Sequence, residues 1–383
     1  MDKVISVDWL EYFVHVKDHE LLGGIDKKSF GNYEFIRNEY GTKFFTYSYD
    51  IKERGRSIAT MICRPRAKFI DDKVATIKIA NYILYAETAY KIIDKLLMSL
   101  PVKVKGITRI DIACDLLTFE NDYRPHKFIK DFVGKDKDDD GYIHHYGSKE
   151  FAIFGDKNLN SNSKFNYIRF GSRKSNVQCY IYNKSKELRE IKDKPYIRDV
   201  WALNNLIVDK KDVWRVEISI KAQGLKVLDK ETGQMYRIDS DYISRQSNIE
   251  AIFYAYADKY LHFGIKNGQK RAKDYNRLVL IKAEGNVPYR PYNPSTQKNS
   301  GRTEKIIIKR LLQASEEYID MASYIRKSII DTVNFFATIC GQKEGVYKIT
   351  ERIKMLQSLC GYKYLRDDGL EMYSADYIDD YTL

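Results

Sequence analysis

Cysteine, histidine, tryptophan and proline are all scarce in this chain of 383 residues, with 5, 6, 3 and 7 copies. The cysteines at 63, 114, 179, 340 and 360 are odd in number and form no C-x-x-C pair or cysteine–histidine cluster, so neither a disulfide framework nor a zinc site is indicated. They read as core thiols in a reducing compartment. No stretch approaches the roughly 18–20 uninterrupted apolar residues of a membrane span. The start, M-D-K-V-I-S-V-D-W-L, has no basic flank followed by an apolar run, so a cytoplasmic location without a membrane partner is expected. Also missing are G-x-x-x-x-G-K-[ST], G-x-S-x-G and G-x-G-x-x-G, which removes an ATP-driven motor, a hydrolase nucleophile elbow and a dinucleotide site.

What is present is basic and rich in tyrosine. Lysine and arginine number 65 against 53 acids, a formal charge of +12 that favours a polyanionic partner, nucleic acid first. Tyrosine appears 31 times against 17 phenylalanines. A phenol offers a flat stacking face and a hydroxyl, although most such residues belong simply to half-exposed strands. An RNA-binding sheet with stacking tyrosines is a further reading of the same composition.

Apolar periodicity predicts strands at 4–16, 106–116, 142–154, 165–171, 177–184, 213–221 and 278–282, with a hairpin within 40–65. Helical spacing appears at 85–100, around 125–133 and at 248–261. Clustered strands without regular alternation imply an α+β fold: an antiparallel sheet with helices packed on one face, followed by a small C-terminal helical module. Residues 1–285 form the main domain, with a division into two subdomains near 100–105 allowed. A proline-bearing linker is expected at 286–303, helices at 304–360 and an acidic tail at 361–383. The loop G-K-D-K-D-D-D-G at 134–141 lacks the spacing of an EF-hand.

Three of the strands have one apolar and one chemically equipped side. R-I-D-I-A-C-D at 109–115 projects Arg109, Asp111, Ala113 and Asp115 together. Q-C-Y-I-Y-N-K at 178–184 projects Gln178, Tyr180, Tyr182 and Lys184, and R-V-E-I-S-I-K at 215–221 projects Arg215, Glu217, Ser219 and Lys221. If the strands are neighbours, carboxylates, phenols and a lysine share one patch. Carboxylate oxygens suit Mg²⁺ or Mn²⁺, a phenolate can attack phosphorus, and lysine can help form it or neutralise a phosphate. The repulsion between Asp111 and Asp115 calls for a cation between them, either a metal or Arg109 or Arg215.

D-W-L at 8–10, R-I-D-I-A-C-D at 109–115, F-G-S-R-K-S at 170–175 with Y-I-Y-N-K at 180–184, and W-R-V-E-I at 214–218 resemble, in order and spacing, the Rep trans family. These are rolling-circle replication initiators of Gram-positive plasmids, with relatives in filamentous phages and among conjugative relaxases. The resemblance spans residues 5–285. It implies that Tyr182, with Tyr180 second, cuts one strand of single-stranded or cruciform origin DNA, keeping the 5′ phosphate and freeing a 3′ hydroxyl. It further implies that Asp111, Asp115 and Glu217 hold the divalent ion, that Lys184 stabilises charge, and that Gly171, Ser172, Arg173 and Ser175 form the turn before the nucleophile strand. Two positions depart from the family pattern: Asn183 replaces an acid, and Tyr180 an arginine. A relaxase with the same chemistry and a non-catalytic DNA-binding regulator are the alternatives.

DNA contacts are expected from Arg109, Arg173, Lys174, Ser175, Arg215, Lys266, Lys270, Arg271 and Lys273. A separate helicase and polymerase would open and copy the duplex, and the C-terminal helices would assist binding or form a homodimer. The histidines at 15, 19, 126, 144, 145 and 262 contain no H-x-H, the metal-binding spacing of HUH endonucleases, and read as ordinary surface or core residues.

Overall fold

The computed structural model describes residues 2–147, 150–157, 163–268 and 271–292. The helices expected at 304–360, the acidic tail and Lys270 lie outside the described residues. In chain order the strands are β1 (Lys3–Val16), β2 (Lys27–Phe30), β3 (Tyr33–Arg37), β4 (Phe45–Glu53), β5 (Arg56–Pro65), β6 (Val74–Ile79), β7 (Val102–Leu116), β8 (Ile143–His145) and β9 (Phe151–Lys157). They continue with β10 (Ser163–Phe170), β11 (Val177–Asn183), β12 (Trp214–Lys221), β13 (Lys226–Asp229), β14 (Met235–Arg237), β15 (Phe263–Ile265), β16 (Asn276–Leu278) and β17 (Tyr289–Pro291). The helices are α1 (His19–Gly23), α2 (Asn81–Leu84), α3 (Ala89–Ser99), α4 (Pro125–Gly134), α5 (Lys184–Glu190), α6 (Pro195–Leu203), α7 (Ser240–Ile243) and α8 (Gln246–Tyr260). None is long and apolar enough to cross a membrane.

Eleven strands form one antiparallel sheet in the order β2-β3-β4-β5-β6-β1-β7-β12-β11-β10-β9. The fold is therefore α+β with a large antiparallel sheet, as the sequence pattern implies. Its long centre is the β1–β7 pair, which runs from Lys3 opposite Leu116 to Val16 opposite Val102. The sheet is thus continuous across residues 100–105. Alternation supplies the core: Ile110, Ile112 and Cys114 of β7, Val216, Ile218 and Ile220 of β12, and Cys179 and Ile181 of β11 are buried on one face. Helices α4 and α8 cover that face through Phe128, Ile129, Ile252 and Phe253. Cys63, Cys114 and Cys179 are buried free thiols.

A smaller sheet, β16-β15-β8, lies on the same apolar side, where Phe263 packs against Phe128 and Phe170. His145, half-buried, sits between Phe170 and Phe263. The third sheet, β14-β13-β17, takes in Tyr289–Pro291, which pairs with β13 from within the segment expected to be a linker. The strand expected at 278–282 lies earlier, at Asn276–Leu278.

Two features shape the polar face. The first is a β-bulge in β1: the register with β7 shifts between Val7 and Trp9, so buried Val7 and Leu10 are separated by two residues instead of one. Asp8 and Trp9 consequently both turn toward the polar side. The second is a partial cover. Helices α5 and α6 and the segment after them carry a small apolar cluster, Leu188, Ile197, Trp201, Leu206 and Val213, against which Val4 and Tyr85 pack.

Candidate functional site

Strands β7, β12 and β11 are adjacent, and their register brings the equipped positions into rows. Asp115 lies opposite Arg215, which lies opposite Tyr182; Ala113, Glu217 and Tyr180 form the next row, and Asp111, Ser219 and Gln178 the one after.

The Tyr182 hydroxyl donates to Glu217 Oε2 at 2.8 Å, and Lys184 Nζ lies 3.5 Å from the same hydroxyl. Burial, followed by the negative charge of Glu217, pushes the phenol well above its ordinary pKa. Glu217 itself rises to about 7, because burial and then the nearby Asp111 and Asp8 disfavour its charge. Lys184 is buried, and burial together with Arg215 lowers its pKa. Its ammonium also donates to both Glu187 oxygens, at 2.9 and 3.0 Å.

Lys184 does not continue the strand. β11 ends at Asn183, whose side chain accepts from the Lys186 amide at 2.7 Å and caps α5; Lys184 is the first residue of that helix. The amide at 183 thus starts a helix that brings lysine back over the phenol. Tyr180, opposite Glu217 in register, donates instead to Gln178 Oε1 at 2.6 Å.

The expected metal set Asp111, Asp115 and Glu217 does not assemble. Asp115 is 1% exposed, and both its oxygens accept from Arg215, at 2.6 and 2.7 Å; one also accepts from Trp201 Nε1 at 2.7 Å. Asp111 accepts two bonds from Arg109, at 2.9 and 2.5 Å, yet burial outweighs that arginine and raises the carboxyl above its usual range. Each of the two acids is thus paired with its own arginine. Among the described residues, no three His, Cys, Asp or Glu side chains are grouped so as to hold an ion. The donors do not fit a three-carboxylate centre.

Arg215 is likewise not a DNA contact. It is fully buried, donating to Asp115, to Asp8 Oδ1 at 2.6 Å and to the Tyr85 hydroxyl at 2.9 Å. Tyr85 in turn donates to Asp8 Oδ1 at 2.5 Å. Burial alone would raise Asp8, but Arg215 and then Lys184 hold it below the carboxylate range. Asp8 is a member of the site that alternation in the sequence does not point to. The irregular spacing of apolar residues at 7 and 10 is the signal that carries it.

Around this centre lie further cations. Trp9 is held between Lys78, 3.3 Å from the ring centroid, and Arg109, at 4.4 Å. Arg173 and Lys174 are exposed on the turn between β10 and β11, with Ser175, whose amide donates to the Ser172 carbonyl at 3.1 Å. Gly171 enters that turn at φ +94, and a Cβ there would meet the Val177 carbonyl oxygen at 3.2 Å. The turn lies at the far end of β11 from Tyr182, roughly 20 Å of strand away. Lys266 donates to the carbonyls of Lys137 and Asp138, and with Arg271 and Lys273 it belongs to the β16-β15-β8 region on the apolar side, so that segment is not brought to the Tyr182 face.

No family model matches the chain, and no curated protein matches it. Among solved structures, it is similar to a rolling circle replication initiator protein from Geobacillus stearothermophilus, with 13% identity and a TM-score of 0.41 over 72% of this chain and 92% of that one.

Proposed function

We propose that this protein nicks one strand of origin DNA through Tyr182 and so starts rolling-circle replication. The observation that carries the reading is the phenol's pair of partners: a carboxylate at 2.8 Å able to take its proton and an ammonium at 3.5 Å able to offset charge on a bound phosphate. In the reaction, the Tyr182 oxygen attacks phosphorus and its proton passes to Glu217. The P–O3′ bond breaks, and O3′ leaves as a hydroxyl with a proton from water, the hydroxide so formed taking the proton from Glu217. The 5′ phosphate stays on the phenol until a free 3′ hydroxyl reverses the sequence. Because the phenol's pKa is raised, attack depends on Glu217 removing the proton as the new bond forms.

Origin DNA in single-stranded or cruciform form is the substrate, with a helicase and a polymerase as separate partners. Asp115 and Asp111 are engaged by arginines, which leaves proton transfer to Glu217 and charge neutralisation to Lys184. The expected cofactor, Mg²⁺ or Mn²⁺, is tested directly.

The test incubates full-length protein with end-labelled single-stranded origin DNA, in Mg²⁺, in Mn²⁺ and with chelator, and looks for an adduct that survives denaturation. Tyr182→Phe is expected to bind the DNA and form no adduct, while Tyr180→Phe still forms one. Adduct formation by Tyr182→Phe at the wild-type level removes the proposal.

A further inference from the structure

The polar face continues past the nucleophile as a row of rings. Register aligns Tyr182 of β11 with Tyr167 of β10, and Tyr167 with Phe154 of β9. The Tyr167 centroid is 6.3 Å from Tyr182, 6.0 Å from Tyr180 and 5.3 Å from Phe154. Phe154 is 60% exposed on the edge strand of the sheet, a position where charged residues usually discourage unwanted pairing. Beside this row, Arg169 stands between Tyr180 and the small Ala152 in register, and its buried Nε has no hydrogen-bond partner. Exposed Arg173 extends the positive charge from the turn.

Taken as a cross-strand cluster alone, these rings would contribute packing, but that account leaves Phe154 facing water and the Arg169 Nε without a partner. The exposed ring is accounted for by a ligand with flat apolar faces, and regular negative charge on that ligand would suit the guanidinium groups beside the row. Single-stranded nucleic acid has that character, because its bases can be laid one at a time on side-chain rings while its phosphates meet arginine. A duplex keeps its base faces in its own stack.

We infer that Tyr167 and Phe154 form a stacking track for single-stranded DNA leading to Tyr182 from the β9 side, with Arg169 and Arg173 as its phosphate contacts. The track rests on the reading that Tyr182 meets a DNA strand, and it names the state of the substrate on one flank of the scissile phosphate.

The test uses the full chain carrying Tyr182→Phe, so that no chemistry intervenes, and a fluorescein-labelled oligothymidylate, alone or annealed to its complement. Adding Phe154→Leu, which keeps apolar bulk but removes the ring face, is expected to weaken single-strand binding about 5- to 150-fold. Phe154→Trp restores it, and duplex binding is unchanged. Equal loss on both probes, no loss on either, or no binding of the single strand by the Tyr182→Phe parent overturns the track. The two proposals fail separately. Ring-dependent binding with no adduct from wild-type protein leaves the track and removes the chemistry; an adduct with no dependence on Phe154 does the reverse.

Discussion

Glu217 stands where its charge costs stability and, in the proposed reaction, takes the Tyr182 proton. Its carboxyl titrates near 7 in the fold against an ordinary value of 4.5, because burial and then Asp111 and Asp8 oppose its charge. A carboxyl raised in this way favours folding most below its unfolded value, and that contribution is lost as pH climbs from about 4.5 through 7. Two measurements follow. The rate of adduct formation is expected to rise with pH through about 7 and then level off, since only the ionised carboxylate accepts the Tyr182 proton. Glu217→Gln should melt at a higher temperature than wild type at pH 8, lose that advantage near pH 4.5, and form adduct at least a hundredfold more slowly, a typical worth of a general base. A variant melting below wild type at pH 8 would show that the Tyr182 hydrogen bond, and not charge repulsion, dominates at this position.

Among the elements, the strands bearing the site place Asp115, Arg215 and Tyr182 in one row, and the row divides by role. Arg215 with Asp115 is a buried pair serving position, and breaking such a pair typically costs about 3–5 kcal/mol. Asp115→Ala is therefore expected to lower the urea unfolding free energy by that amount, with activity lost through unfolding. An unchanged midpoint with metal-dependent activity abolished would restore Asp115 to the role of ligand.

The alternation that located β7, β11 and β12 was readable in the sequence because each strand has a single apolar face within the sheet. Asp8 was obscured because a bulge interrupts that alternation, and bulges follow from pairing with a neighbour. The burial of Arg215 was unreadable for a related reason. Its partners come from Asp8, Tyr85 and Asp115, far apart along the chain, and Trp201 of α6 closes over Asp115. Lys184 lies beside Tyr182 although the strand stops one residue before it. The Asn183 side chain caps α5 and turns the chain there.

On the scale of the molecule, residues Met1–Tyr292 cluster as one unit containing the whole site. A chain ending at Tyr292 is expected to unfold in a single cooperative transition and to form the Tyr182 adduct on single-stranded DNA at a rate within about threefold of the full chain, a difference of roughly 0.6 kcal/mol in the barrier. Loss of the adduct with cooperative unfolding retained would assign residues beyond 292 a part in the chemistry.

The ion pairs at the centre join residues separated by 100 and 207 positions, Asp115 with Arg215 and Arg215 with Asp8. During translation the two acids emerge long before the guanidinium that balances them, and the phenol emerges before its proton acceptor at 217. A nascent polypeptide halted short of β12 thus carries Tyr182 and Lys184 without Glu217, so on the proposed reading a prematurely terminated product lacks the group that takes the phenol's proton.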